Sequence, residues 1–112
     1  FTDKSGQQWV VIPAPEYIDG TNGQKLLDLA QKLLEKGAAR VALDLAGTRV
    51  VNSIGISRFI QMVETFAQEG GVIAFCGPND TISRTFRIMG LLQKAHLVDS
   101  VEQAEKLLPL SD

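Results

Sequence analysis

Residues 41–60 read VALDLAGTRVVNSIGISRFI, and the order of residue types in that stretch decides the fold. Val41-Ala42-Leu43-Asp44-Leu45 is apolar but for Asp44. It is read as a strand covered on both faces, which needs no alternation of polar and apolar positions. Ala46-Gly47-Thr48-Arg49 is a connection, and Val50-Val51 rebuilds a short extended piece. Asn52 or Ser53 then caps a helix spanning roughly residues 54–69, in which Ile56, Phe59, Ile60, Val63, Phe66 and Ala67 share one stripe. Gly70-Gly71 ends that helix.

The same strand-then-helix unit recurs on both sides. Upstream, Lys4-Ser5-Gly6-Gln7 reads as a turn and Gln8–Ala14 as a strand carrying Trp9, Val10, Val11 and Ile12. Pro13 and Pro15 lack the amide a central ladder needs, so this strand lies at an edge or ends there. If the turn is a hairpin, its first strand precedes Phe1. Residues 16–23 are dense in turn formers and read as irregular. From Gln24 to Lys36, Leu26, Ala30, Leu33 and Leu34 fall at helical spacing, Leu27 and Leu29 widen the stripe, and Gly37 supplies the stop. Downstream, Val72–Cys76 is a second buried strand. Asn79 or Asp80 caps a third helix with Ile82, Phe86 and Met89 on its inner face, ending at Gly90. His96–Val98 is a short strand. Ser100 caps a last helix on Val101, Ala104, Leu107 and Leu108, which Pro109 terminates. Alternation of this kind predicts an α/β fold: one mixed, mostly parallel sheet flanked by about four helices, with right-handed crossovers.

A chain of 112 residues is enough for one domain spanning 1–112, and 45% apolar content supplies a core for it. A domain of this size buries roughly 65% of its unfolded surface and needs no staples. The net charge of -2 and the absence of a Lys/Arg cluster exclude an electrostatic footprint for nucleic acid. No apolar run approaches the roughly 20 residues of a membrane span, so direct membrane insertion is not expected. No signal peptide is visible, and Phe1 is not a natural start, so the chain is expected to be trimmed. Cys76 is the one cysteine, so no internal disulfide forms, and a reducing, cytoplasmic setting is expected. Nothing in the sequence speaks to self-association.

Enzyme chemistry finds little support. Neither G-x-x-x-x-G-K-[ST] nor a G-x-G-x-x-G after a strand occurs, so a nucleotide sensor remains only an alternative reading. One His and one Cys do not make a zinc site, and no metal or other cofactor is expected. His96 reads as a partly exposed surface residue and Cys76 as a buried small hydrophobe. Ser53, His96 and Asp44 are the residue types of a hydrolase triad, yet no nucleophile elbow surrounds Ser53, and no catalytic residue is assigned. Ser53 has two readings that share one geometry. It is a helix cap, or it is a hydroxyl displayed at a helix N-terminus, where an added phosphate would meet free amides and the positive end of the helix dipole.

With those residues in view, VALDLAGTRVVNSIGISRFI resembles the core signature of the STAS domain, the family of bacterial anti-sigma factor antagonists. In that signature an apolar strand ending Leu-Asp-Leu leads to Asp-Ser-Ser/Thr-Gly-Leu at the start of a helix. FAQEGGVIAFCGPNDTISRTFRIMGL is similar to the family's Gly-Gly, strand, short loop and helix ending in a Met-or-Thr-Gly-Leu step. HLVDSVEQAEKLL looks like its closing strand and Glu-x-Ala helix. Glu16–Asp19 is similar to the family's Gly-Glu-Leu-Asp step, with one residue more. The match covers nearly all of residues 8–108.

The resemblance implies a non-enzymatic, protein-binding regulator of transcription. Its partner would be an anti-sigma factor that is also a serine kinase, with a phosphatase as a second partner, and Ser53 would be the phosphate acceptor. It also implies a partner-binding surface of Asn52, Ser53, Ile54, Gly55, Ser57, Arg58 and Gln61, with Asp19 and Asn22 in a neighbouring loop. Two departures stand out. Asn52 replaces the acidic residue, and Ile54 replaces the second hydroxyl, so the loop is more neutral and more apolar than the pattern. An accessory or scaffold subunit of a transporter or stress complex, without phosphorylation, is the other alternative. Arg84 and Arg87 on the third helix read as a solvated face.

Overall fold

The computed structural model describes residues 9–106. The expected turn at Lys4–Gln7, the strand start at Gln8, and Leu107, Leu108 and Pro109 lie outside the described residues. The β-branched run after Trp9 makes β1 (Val10–Pro13). The apolar runs make β3 (Arg40–Asp44) and β5 (Val72–Cys76), and β6 is His96–Val98. These four form one sheet in the order β1-β3-β5-β6, and each neighbouring pair is parallel. Among the described residues β1 lies at the edge of this sheet, where its Pro13 forfeits least. Two further two-residue strands, β2 (Tyr17–Ile18) and β4 (Val50–Val51), pair parallel in a small second ladder, Tyr17 opposite Val50 and Ile18 opposite Val51. Among the described residues every ladder is therefore parallel, within the expected α/β class.

Four helices follow: α1 (Gly20–Glu35), α2 (Ser53–Gln68), α3 (Asp80–Ile88) and α4 (Val101–Glu105). Residues of α1, α2 and α3 join the sheet in one core, in which Leu27, Ala30, Val41, Leu43, Phe59, Met62, Phe66, Phe75 and Phe86 are buried. The other sheet face carries a smaller cluster of Trp9, Ala42, Ala74 and Cys76, which Ala104 of α4 covers. Gly37 adopts φ 97° just past the C-cap Lys36, the left-handed turn that glycine accommodates without strain.

Four expectations are corrected. α1 begins at Gly20, not Gln24, because Asp19 caps it: the Asp19 carboxylate accepts the Asn22 amide at 2.9 Å. The turn formers Gly20 to Gly23 are thus the first helical turn. Two of them are glycine because α2 crosses there. A Cβ on Gly20 would stand 2.9 Å from Ile54 Cγ2, and one on Gly23 3.3 Å from the Gly55 Cα. Leu29, Ala67 and Met89 are exposed rather than internal, while Met62 is fully buried. Met62 lies one turn from both Phe59 and Phe66, at the centre of the α2 stripe.

Cys76 sits opposite Asp44 in the β3–β5 ladder. Burial, and then the negative charge of Asp44, push its thiol from 9.0 up to about 11. The folded chain therefore holds this proton more tightly than the unfolded one. Stability from this source is complete below about pH 9 and is lost as pH rises toward 11. Wild type is expected to lose up to about 2 kcal/mol more than Cys76→Ala over that window. Urea titrations at both ends of the window measure it; equal losses would mean that the thiol is not held in this way.

Candidate functional site

β2 and β4 run directly into α1 and α2, so their pairing sets the two helix starts side by side. The Asn52 amide donates to the Ile18 carbonyl at 2.9 Å, and the Arg49 amide to the Glu16 carbonyl at 2.8 Å. Beneath, the buried Thr48 hydroxyl donates to the Pro15 carbonyl at 2.8 Å and ties the connection to the segment after β1. Arg49 and Glu16 form an exposed ion pair at 3.2 Å. The start of α3 also reaches this end, where the Asn79 side-chain amide donates to the Arg49 carbonyl at 3.3 Å.

Asn52, not Ser53, is the cap of α2. Its backbone is extended, and its side-chain oxygen accepts the Gly55 amide at 2.8 Å. Ser53 is the first helical residue. It is exposed, and among the described residues its hydroxyl makes no hydrogen bond. The amides of Ser53 and Ile54 belong to the first turn, which has no intrahelical acceptors for them. An asparagine cap can hold the helix start while the next residue's hydroxyl stays free. Asn52→Ala is accordingly expected to cost about 1 kcal/mol, and Ser53→Ala close to nothing. Thermal unfolding of the two variants separates the cases; the reverse order would return the cap to Ser53.

The remaining candidates fall into two groups. Ile54 is 52% exposed, and Ser57 and Gln61 are exposed on the same helix, the Ser57 hydroxyl donating to the Ile54 carbonyl. Asp19 and Asn22 are brought beside them by the Gly20–Ile54 contact, but on a helix start rather than a loop. Both are occupied there: Asp19 caps α1, and the Asn22 side chain donates to the Tyr17 carbonyl at 2.7 Å. Gly55 is buried. A Cβ there would stand 2.9 Å from the Ile18 carbonyl oxygen, so its smallness serves the chain's own packing, and its φ is not positive. Arg58 is partly buried. Its stem crosses Gly23, and its Nε is buried without a hydrogen-bond partner among the described residues.

Sequence reasoning missed Tyr17 and Val50, 54% and 48% exposed, which face each other in the small ladder beside the helix starts. Their only sequence signal is an apolar side chain next to turn residues, and a two-residue ladder across 33 positions has no periodicity to read. Asp44 keeps its carboxylate on the Ala46 amide, and His96 lies on β6, the far edge from β1, so the two do not assemble with Ser53 into a triad. Among the described residues no three His, Cys, Asp or Glu side chains gather as metal ligands, and no helix is long and apolar enough to cross a membrane.

The sequence matches the family model of the STAS domain over residues 3–104. The chain belongs to the STAS domain family. Solved structures share this STAS fold at low identity. The Thermotoga maritima protein TM1081, described as a candidate anti-sigma factor antagonist, is 18% identical with a TM-score of 0.75, over 88% of this chain and 86% of that one. The Bacillus cell fate determinant SpoIIAA in its phosphorylated form is 15% identical with a TM-score of 0.72, over 92% and 93%. The murine anion transporter Slc26a9 is 19% identical with a TM-score of 0.63, over 88% of this STAS domain and 17% of the transporter. No curated protein matches the sequence at a significant level.

Proposed function

We propose that this chain is a single regulatory STAS domain of the anti-sigma factor antagonist kind, acting in the cytoplasm by protein binding rather than catalysis. Its partner is an anti-sigma factor that doubles as a serine kinase. The unmodified surface of Asn52, Ser53, Ile54, Ser57, Arg58 and Gln61, flanked by Asp19 and Asn22 and supported from below by Gly55, binds that partner and so releases a transcription factor. Phosphate on Ser53 ends the binding, and a phosphatase restores it.

The observation that carries this reading is the free, exposed Ser53 hydroxyl on a helix start whose cap is supplied by another residue. A phosphate there adds about -1.5 to -2 charges where two unused amides and the helix dipole favour it, so the fold survives while the surface gains negative charge. Ile54, Val50 and Tyr17 supply exposed apolar area for a partner to bury. Incubation with the cognate kinase and ATP tests this. One phosphate on Ser53 is expected by intact mass and peptide mapping, none on Ser53→Ala, and faster transfer on Asn52→Asp. Absence of phosphate from Ser53 in both wild type and Asn52→Asp would end the phosphoswitch reading. The likeness to the Slc26a9 domain favours a second reading, an accessory domain of a transporter without phosphorylation. It is distinguished by co-purification with membranes and an unmodified Ser53.

A further inference from the structure

The chain holds three asparagines, Asn22, Asn52 and Asn79. An asparagine loses its side-chain amide when the backbone nitrogen of the next residue attacks its Cγ. Three local features favour that attack. The next amide must have no acceptor, the side-chain nitrogen must be free to leave, and a donor must sit on Oδ1, where negative charge develops as in an oxyanion hole. By sequence alone Asn22 is the readiest, because Gly23 has no side chain to hinder ring closure.

The fold reverses that order. The Gly23 amide is committed to the Asp19 carbonyl at 2.8 Å, and the Asn22 side-chain nitrogen to the Tyr17 carbonyl at 2.7 Å. Asn79 is a cap like Asn52, and its oxygen accepts the Ile82 amide at 2.9 Å. Its side-chain nitrogen, however, is held by the Arg49 carbonyl, and the amide that would attack belongs to Asp80, whose own carboxylate opposes a second negative charge. Asn52 meets all three conditions. Its oxygen accepts the Gly55 amide at 2.8 Å, and among the described residues its side-chain nitrogen makes no hydrogen bond. The Ser53 amide is a first-turn donor without an intrahelical acceptor. Asn52 is exposed to water, and the positive end of the α2 dipole favours both loss of the Ser53 amide proton and the carboxylate that results.

We infer that Asn52 is a site of spontaneous deamidation, set up by its place as the cap of α2. The Ser53 backbone nitrogen gives its proton to solvent and bonds to Asn52 Cγ. The Cγ–Nδ2 bond breaks, and ammonia leaves with a proton taken back from solvent. Water then opens the cyclic imide at either carbonyl, giving aspartate or isoaspartate. Aspartate caps a helix as well as asparagine does, so that product keeps the fold and adds a negative charge beside Ser53. Where Ser53 accepts phosphate as proposed above, deamidation makes in the ageing chain the same change as Asn52→Asp and quickens transfer. Only that consequence rests on the phosphoswitch reading; the deamidation itself is read without a kinase.

The test ages the folded protein in mildly alkaline buffer and follows it by ion exchange and peptide mapping, which separate asparagine, aspartate and isoaspartate at each position. Asn52 is expected to convert first, and in urea the lead should pass to Asn22. Ser53→Pro should lose the conversion at Asn52, since its ring nitrogen has no proton to give up. Proline suits both the first helical position and an extended residue before it, so the variant should fold. Circular dichroism checks this, and the comparison of folded with urea-unfolded wild type stands without the variant. Conversion of Asn52 in the folded chain no faster than that of Asn22 or Asn79, the same order in urea, or undiminished conversion in folded Ser53→Pro would overturn the inference. Equal phosphate transfer to aged and fresh chains would overturn the consequence for Ser53 alone.

Discussion

Phe59→Ala is expected to destabilise the domain by about 3–5 kcal/mol. Phe59 is fully buried on α2 at the meeting point of three rings. Its centroid lies 5.6 Å from that of Phe75 on the central strand β5 and 5.9 Å from that of Phe86 on α3, and the Phe75–Phe86 pair is closer still at 4.7 Å. Removing the ring discards its transfer free energy and leaves a cavity between elements that belong to one sheet and two helices. Those elements cannot collapse together without breaking the β5 ladders on both sides. Urea unfolding reads the difference directly. A loss below about 1 kcal/mol would mean that α2 does not present this face to the sheet.

Gly55→Val is expected to cost about 3 kcal/mol, at the upper end for overpacking. Glycine is normally a liability inside a helix, yet here a Cβ would approach the Ile18 carbonyl oxygen to 2.9 Å, and Ile18 Cγ2 and Val51 Cγ1 to 3.1 Å each. The carbonyl cannot retreat freely, because it accepts the Asn52 amide and so fixes the cap of α2. A valine therefore forces apart the small β2–β4 ladder and displaces Ser53 with it. The same denaturant titration applies. A variant as stable as wild type would mean that the close approach of β2 to α2 is not sustained in solution.

The fold was legible in the sequence because its signals are local. The apolar runs at Val41–Leu45 and Val72–Cys76 and the i, i+3, i+4 stripe from Ile56 to Phe66 each name their element without reference to the rest. What escaped was decided by contacts distant in sequence. Gly20 and Gly23 look like turn residues until α2 is seen crossing them, and only the fold shows that Asp19 is a cap rather than part of a loop. The choice between Asn52 and Ser53 as cap depended on one residue of register, which the backbone at β4 sets. Tyr17 and Val50 acquired meaning only once paired. Met89 and Leu29 obey helical spacing and are still exposed, because no element among the described residues covers their side of the helix. At the candidate site the sequence supplied Ser53 and its family pattern; the free hydroxyl and the adjoining start of α1 required coordinates.

The proposal that the Ser53 surface binds an anti-sigma factor and is switched by charge is tested most directly by titrating that partner against wild type and Ser53→Asp. A carboxylate at the first position of α2 suits the helix dipole, so the variant should fold with an unchanged or slightly raised urea midpoint. Its affinity for the partner should nevertheless fall by about tenfold or more, as expected when a charge is placed in a desolvated contact. Equal affinity of the folded variant and wild type would contradict the proposal and leave Ser53 an exposed serine beside the cap that Asn52 provides.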